Sequence, residues 1–226
     1  MTQPTPRSSW RLCAGLGLAL ALLGPVVLGQ FPTDAATDLG GYGAPVYAFE
    51  MAGSVEDLEA VFGSPLDPAR PARLAAMDAG NRWDYPFMLL YGAFIASFFA
   101  AAARGTGRRR WLGAAALGVI AACADGVENL VLLGLTKDLE AAPHLALLPY
   151  PVWTKFFALM GAGSAAGAFL LRQAGTGWRV AGGIAVLGAL AVVPGFVAPG
   201  QVGWVVGNGI GAAWIAQLAW ALARSR

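Results

Sequence analysis

The stretch 111–135, WLGAAALGVIAACADGVENLVLLGL, decides the fold. At about 1.5 Å per residue it is long enough to cross the roughly 30 Å hydrocarbon core of a bilayer. Its only charged residues are Asp125 and Glu128, which lie next to Asn129. The stretch therefore predicts a membrane-spanning helix that carries polar side chains inside the membrane.

Five further apolar segments of similar length surround this helix, at 11–29, 85–103, 152–171, 180–198 and 204–223. The 226-residue chain is 57% hydrophobic and only 12% charged, about half the charged fraction of an ordinary soluble domain. A tryptophan, which favours the headgroup zone, stands at or beside the start of each segment: Trp10, Trp83, Trp111, Trp153, Trp178 and Trp204. The sequence predicts an all-α polytopic membrane helix bundle with six transmembrane helices.

Residues 1–29 have two interpretations. Arg7 and Arg11 precede an apolar stretch that ends in small residues after Pro25, a pattern shared by anchors and cleavable signal peptides. We favour an uncleaved first transmembrane helix. Cleavage of a signal peptide would leave five helices in the same orientation, the bundle of residues 85–226.

Basic residues in the connections are distributed unequally between the two sides of the predicted bundle. Ten lie on the side of both termini, and four, Arg70, Arg73, Arg82 and Lys137, lie on the other. Connections rich in Lys and Arg stay in the cytoplasm. We therefore expect a multi-pass protein of the cell (plasma or bacterial inner) membrane with both termini cytoplasmic.

The cap segment, residues 30–84, is the only sizeable region predicted outside the membrane. It has three arginines and nine acidic residues: Asp34, Asp38, Glu50, Glu56, Asp57, Glu59, Asp67, Asp78 and Asp84. We expect an extended piece over 43–51, and then a short helix that starts at Ser54 and stops at Gly63. A second short helix is expected from Asp67 to about Gly80. Neither can bury a core alone, so the sequence predicts a small acidic extracytoplasmic cap on the bundle.

The polar residues of the third span form the best candidate site. Asp125, Glu128 and Asn129 share one helical face because of their i, i+3, i+4 spacing. A charged group near the centre of a span costs about 2.5–3.5 kcal/mol on insertion scales. The predicted helix orientations bring further polar residues to the same outer third of the bundle: Lys155, Asp84, Tyr91 and Asn208.

Several interpretations of this cluster stay open. It is either a functional, outward-facing polar pocket or a hydrogen-bonded packing contact with Lys155 as counter-ion. Lys155 alone could instead extend towards the interface. For Asp84 we favour an ordinary helix N-cap at the start of the second span.

Glycines at helical spacing predict close helix packing. Gly163 and Gly167 form one such pair, and Gly203, Gly207 and Gly211 form a row. Small residues let helix backbones approach each other in a membrane. We favour packing within the chain, and the alternative partners are a second copy or another membrane protein.

Several classes of function lack support in the composition. The cysteines Cys13 and Cys123 form no metal-binding pair, and His144 is the only histidine, so we expect no metal site and no cofactor. The net charge of +2 and the isolated basic run Arg108–Arg110 argue against nucleic-acid binding.

Three short motifs resemble those of a group of small bacterial integral membrane proteins of uncharacterised function. They are Phe49-Glu50, Asp84-Tyr85 and Asp125-x-x-Glu128-Asn129, within residues 45–160. The group brings no activity or cofactor. The resemblance implies that Glu50 belongs with the polar cluster.

Three hypotheses follow for the function. The first is binding or transport of a small cationic or zwitterionic ligand, or of protons, at the outer face. The second is a non-catalytic assembly protein that binds a membrane partner. The third is an enzyme that uses paired carboxylates on a lipid or lipid-linked substrate. Because no nucleophile motif accompanies the acids, we favour the non-enzymatic hypotheses and assign no catalytic residue.

The basic residues predict the outcome of reporter fusions. A reporter placed after Arg226 or between Gly105 and Arg110 should report cytoplasm, and one near Gly63 should report the outside, because the basic connections are retained in the cytoplasm. An outside signal from the 105–110 connection would overturn the predicted orientation.

Overall fold

The structure, a computed structural model, describes residues 7–226, which are helical with connecting loops and no β-strand in that range. The first six residues of the predicted 1–29 segment lie outside this description. The helices are α1 (Arg7–Leu28), α2 (Pro45–Glu50), α3 (Val55–Phe62), α4 (Arg70–Thr106), α5 (Arg110–Leu135), α6 (Pro149–Leu170), α7 (Thr176–Leu190), α8 (Val192–Val197), α9 (Pro199–Val202) and α10 (Trp204–Ser225).

Six of these units are long and apolar enough to cross a membrane: α1, α4, α5, α6, the pair α7–α8, and α10. They form a closed ring in which each packs on the next in the order α1, α4, α5, α6, α7, α10 and back to α1. The predicted all-α polytopic bundle is confirmed, and the chain is a multi-pass membrane protein.

The start of the second span differs from the prediction. The expected helix break near Gly80 is absent, because α4 runs without interruption from Arg70 to Thr106. Gly80 instead gives the ring of Phe31 room to pack directly on the helix. Asp84 therefore lies inside a helix and is not the N-cap that we favoured. Pro86 also lies within α4, as membrane helices tolerate.

Part of the cap segment folds as expected. Ser54 caps α3 in a capping box with Asp57, and Gly63 ends the helix at a φ of 95°, a value that favours glycine. Leu58 and Phe62 are fully buried. The expected extended piece over 43–51 is wrong, because Pro45 at the first helical position starts α2.

The cap segment is fixed to the bundle through aromatic side chains and one arginine. Tyr47 of α2 packs directly on Gly207 of α10, and Tyr42 contacts Gly203. Arg73, on α4, donates to Asp34 at 3.0 Å and to Asp67 at 2.8 Å. These contacts place α2 over the open end of the helix ring.

Two of the tryptophans at the end opposite the cap, Trp10 and Trp111, point into the bundle. Trp10 is only 5% exposed, and its ring contacts Phe98 and Trp220 at centroid distances of 5.5 and 6.3 Å. Trp111 packs edge-on against Phe169 at 5.4 Å. This aromatic group joins α1, α4, α5, α6 and α10 at that end.

The glycine pair of α6 packs within the chain. A Cβ at Gly163 would lie 2.8 Å from Ala189 of α7 and 3.2 Å from Ala213 of α10. Gly167 faces Gly182 and Val186 of α7. In the other row, Gly203 and Gly207 contact the cap segment, whereas Gly211 has open space beside it.

The two α10 glycines give a matched test of cap docking. Gly207→Val should lower the stability of the purified protein by about 1–3 kcal/mol, because the new side chain overlaps the ring of Tyr47. Gly211→Val should change it by no more than about 0.5 kcal/mol. Thermal unfolding in detergent measures both. Equal losses would contradict docking of α2 on α10.

Candidate functional site

The polar face of α5 is internal, as its spacing predicted. Asp125, Glu128 and Asn129 are all buried, and Glu128 is 0% exposed. The same face continues through the small residues Gly118 and Ala121, which allow α4 to approach closely. The acids are therefore held inside the ring and away from lipid.

Lys155 of α6 is the centre of the cluster. Its ammonium nitrogen lies 2.7 Å from Glu128 Oε1, 3.2 Å from Asp125 Oδ1 and 3.3 Å from Glu50 Oε1. The residue is 6% exposed, so it does not extend to the interface. One ammonium thus contacts carboxyl groups from α2 and from two turns of α5.

Two further hydrogen bonds join α4 to α5. Tyr91 donates from its hydroxyl to Asp125 Oδ2 at 2.8 Å, and the Asn129 amide donates to Asp84 Oδ2 at 2.8 Å. Asp84 is the fourth carboxyl of the cluster. We call these seven residues the acid–lysine cluster: Glu50, Asp84, Tyr91, Asp125, Glu128, Asn129 and Lys155.

A cavity of about 240 Å³ adjoins the acid–lysine cluster. Each cluster residue except Glu128, which lies behind the ammonium of Lys155, contributes to its wall together with Asn81. The rest of the wall is mostly apolar: Gly24, Val27, Leu28, Phe31, Val46, Tyr47, Phe87, Phe156, Leu159, Gly207, Ile210 and Trp214. The volume corresponds to about eight waters at roughly 30 Å³ each, enough for a small ligand.

Three buried polar atoms at this site have no hydrogen-bond partner: Glu50 Oε2, Glu128 Oε2 and Asn81 Nδ2. Buried polar groups are normally paired, and an unpaired one costs about 1–3 kcal/mol. Two of the residues that carry these atoms, Glu50 and Asn81, also line the cavity.

The charges of the acid–lysine cluster do not balance. Four carboxyl groups share this site with one ammonium, and three of them contact it, so full ionisation would leave three uncompensated negative charges. Burial raises the pKa of the Glu50 carboxyl above its usual range; the ammonium of Lys155 opposes this shift, and the carboxylate of Asp125 adds to it. Glu50 therefore binds a proton more readily than an exposed glutamate.

The predicted convergence is wrong for Asn208. Its side chain is exposed and donates to the carbonyl oxygen of Trp204 on its own helix at 2.8 Å. The face of α10 that meets the cavity carries Gly207, Ile210 and Trp214, at the i, i+3, i+7 spacing of one helical stripe. Asn208 is one position away and points elsewhere.

Asn81 was missed in the sequence because we expected a helix break at Gly80. In the continuous α4, Asn81, Asp84, Phe87 and Tyr91 lie on one stripe. The spacing of 81, 84, 87 and 91 would have shown this face. Two other aromatic residues that line the cavity, Phe31 and Trp214, carried no such signal, because the residues that they contact there are distant in sequence.

The carboxyl groups of the acid–lysine cluster are not placed as the ligands of a metal ion are. Within residues 7–226, no group of three or more His, Cys, Asp or Glu side chains is placed to hold a metal ion. The position between Glu50, Asp125 and Glu128 is taken by the ammonium of Lys155. The arrangement can instead bind protons or an organic cation.

Comparison with known proteins adds no assignment: no family model, curated protein or solved structure matches this chain.

Removing Lys155 should be more harmful than removing one acid. Lys155→Met leaves four carboxyl groups, of which Asp125 and Glu128 are buried, without a cation and should cost about 3–5 kcal/mol of stability. Glu128→Gln leaves Lys155 with Asp125 and Glu50, so its cost should be smaller. Lys155→Met combined with Glu128→Gln should recover part of the loss.

The loss should also depend on pH. Without the lysine, protons are the remaining way to neutralise the acids, so the defect of Lys155→Met should shrink between about pH 8 and about pH 5. Thermal unfolding of the purified variants measures this, with the exposed Lys137→Met as control. A pH-independent defect would show that Lys155 acts through packing and not through charge.

Proposed function

We propose that the protein binds or transports a small organic cation or zwitterion, or protons, at the acid–lysine cluster. The observation that carries the proposal is the presence of four carboxyl groups and one ammonium beside a cavity of about 240 Å³. Intramembrane ionisable groups that face a cavity are typical of ligand and proton pathways.

The charge imbalance defines what the cavity attracts. Buried carboxylates are strongly unfavourable unless a cation or a proton neutralises them. Lys155 supplies one positive charge, and the acid–lysine cluster requires more. Protons can supply it when the cavity is empty, and a cationic ligand can replace those protons when it binds.

A purely structural ion pair explains less of the geometry. Packing requires one acid for one lysine, whereas Lys155 contacts three carboxyl groups. A structural ion pair also requires neither a cavity nor the unpaired amide nitrogen of Asn81, a residue of the cavity wall. These features favour a binding site. We rank the enzymatic alternative below binding, because the sequence shows no nucleophile motif beside the carboxyl groups.

The orientation in the membrane belongs to the same proposal. The ends of α1, α4 and α10 opposite the cap are adjacent, since Arg11 donates to the carbonyl of Ser225 and Arg104 to Ser9. We place this arginine-rich end in the cytoplasm of a bacterial cell and the cavity towards the outside. We also propose that α1 is retained, because Val27 and Leu28 form part of the cavity wall.

Two further proposals concern relatives and partners. We propose that the chain is related to the group of small bacterial membrane proteins that it resembles. The resemblance implies that Glu50 belongs with the polar cluster, and Glu50 lies beside Lys155. A contact with a second copy or another membrane protein is best placed at Gly211, because Gly163, Gly167, Gly203 and Gly207 already pack within the chain.

Calorimetry can test cation binding directly. Methylammonium and glycine betaine, titrated separately into the purified protein in an uncharged detergent, should each bind to the protein. Binding should displace protons from the carboxyl groups of the acid–lysine cluster. The observed enthalpy should then change with the ionisation enthalpy of the buffer. Asp125→Asn should weaken binding by about 10- to 100-fold, as expected for a lost charged hydrogen bond.

Glu56→Gln is the control, because Glu56 is an exposed acid of α3 that lies outside the acid–lysine cluster. It should bind like the native protein. If the native protein binds neither probe and its proton uptake matches that of folded Asp125→Asn, the acid–lysine cluster is structural and the proposal fails.

A further inference from the structure

Three aromatic rings from two helices form one side of the cavity. Tyr91 of α4 stacks on Trp214 of α10 at a centroid distance of 5.3 Å, and Phe87 contacts both rings edge-on at 5.9 and 6.0 Å. All three residues line the cavity. We call Phe87, Tyr91 and Trp214 the aromatic wall.

The aromatic wall is directly joined to the acids. Tyr91 donates its hydroxyl to Asp125 Oδ2, so one residue belongs to both groups. A cation beside this tyrosine lies next to a carboxyl group and against aromatic rings at once. Rings attract cations through their negative faces, and a site without water strengthens the attraction.

Lys155 shows that the cluster already uses this combination. Its ammonium, besides contacting three carboxyl groups, lies 4.7 Å from the ring centroid of Phe156. The lysine thereby takes the position where an N–H donor finds the most acceptors. A second cation must use the remaining space, whose wall carries six aromatic side chains beside the carboxyl groups: Phe31, Tyr47, Phe87, Tyr91, Phe156 and Trp214.

Two observations describe the wall and the opening of the cavity. Asn81, a residue only 1% exposed, lines the cavity, and its buried amide nitrogen has no hydrogen-bond acceptor. Leu28 lines the same cavity and is 63% exposed. The cavity therefore opens beside the end of α1, next to an exposed apolar side chain.

We infer that the site selects an alkylated ammonium group, such as a trimethylammonium, over a primary ammonium or a metal ion. The inference rests on the proposed function and specifies its ligand class. An alkylated ammonium is weakly hydrated and needs few hydrogen-bond acceptors. It gains from the aromatic wall while its charge compensates Asp84 and Asp125.

The test compares two probes on wall variants. Native protein in an uncharged detergent should bind tetramethylammonium more tightly than methylammonium. Trp214→Leu should weaken tetramethylammonium binding by about 5- to 30-fold, the loss expected for one desolvated cation–π contact. Its effect on methylammonium should stay below about threefold. Phe87→Leu is a second variant in case one of them does not fold.

Two controls separate the aromatic contribution from general damage. Trp214→Phe keeps a ring and should retain most of the preference. Trp153→Leu should bind both probes like the native protein, because Trp153 packs against Phe196 and lies outside the cavity wall.

The outcomes distinguish this inference from the proposed function. If folded Trp214→Leu and Phe87→Leu keep the native preference while Asp125→Asn loses both probes, the aromatic inference is wrong and cation binding stands. If native protein binds neither probe, both fail.

The same ammonium can come from a free molecule or from a lipid headgroup. Tetramethylammonium binding should be compared in nanodiscs of phosphatidylglycerol and of phosphatidylcholine. Weaker binding in phosphatidylcholine identifies a lipid headgroup as a competitor for the site. Equal binding in both lipids identifies a free ligand.

Discussion

The ammonium of Lys155 is the interaction on which the rest of the site depends. It holds Glu50 of α2 beside Asp125 and Glu128 of α5, and so joins the cap segment to the membrane bundle through buried charge. Because the carboxyl groups outnumber the ammonium, the contact is both a structural link and a site with capacity for further positive charge. Removing its charge should therefore affect both the position of the cap and the proposed cation binding.

The position of the cap follows from helix geometry as much as from charge. At about 1.5 Å per residue, α4 spans roughly 55 Å, well beyond the hydrocarbon thickness of about 30 Å. Its first turns carry Arg73, which holds the loops of the cap segment through Asp34 and Asp67. Tyr47 then uses the space above Gly207 to seat α2 on α10. The wall of the cavity thus includes a segment that lies outside the spanning helices.

The two ends of the bundle are built differently. At the end away from the cap, aromatic rings such as Trp10 and Trp220 fill the centre by packing against one another. At the cap end, the centre holds the acid–lysine cluster and a cavity. Ring-to-ring packing stabilises a bundle without demanding a ligand, whereas buried acids with unpaired oxygens do not. This asymmetry locates the candidate function at the cap end.

The sequence by itself determined the number of spans, the internal face of Asp125, Glu128 and Asn129, and the capped helix that starts at Ser54. Each depends on the local period of one helix or on one cap, which neighbouring residues specify. Only the tertiary structure decided that Lys155 contacts three carboxyl groups, that Asn208 faces away, and that Trp214 joins the wall. Those facts depend on the rotation of each helix about its axis, which packing between distant segments fixes. The continuity of α4 is of the same kind, because Gly80 is a helix break in isolation and a packing site for Phe31 in the folded chain.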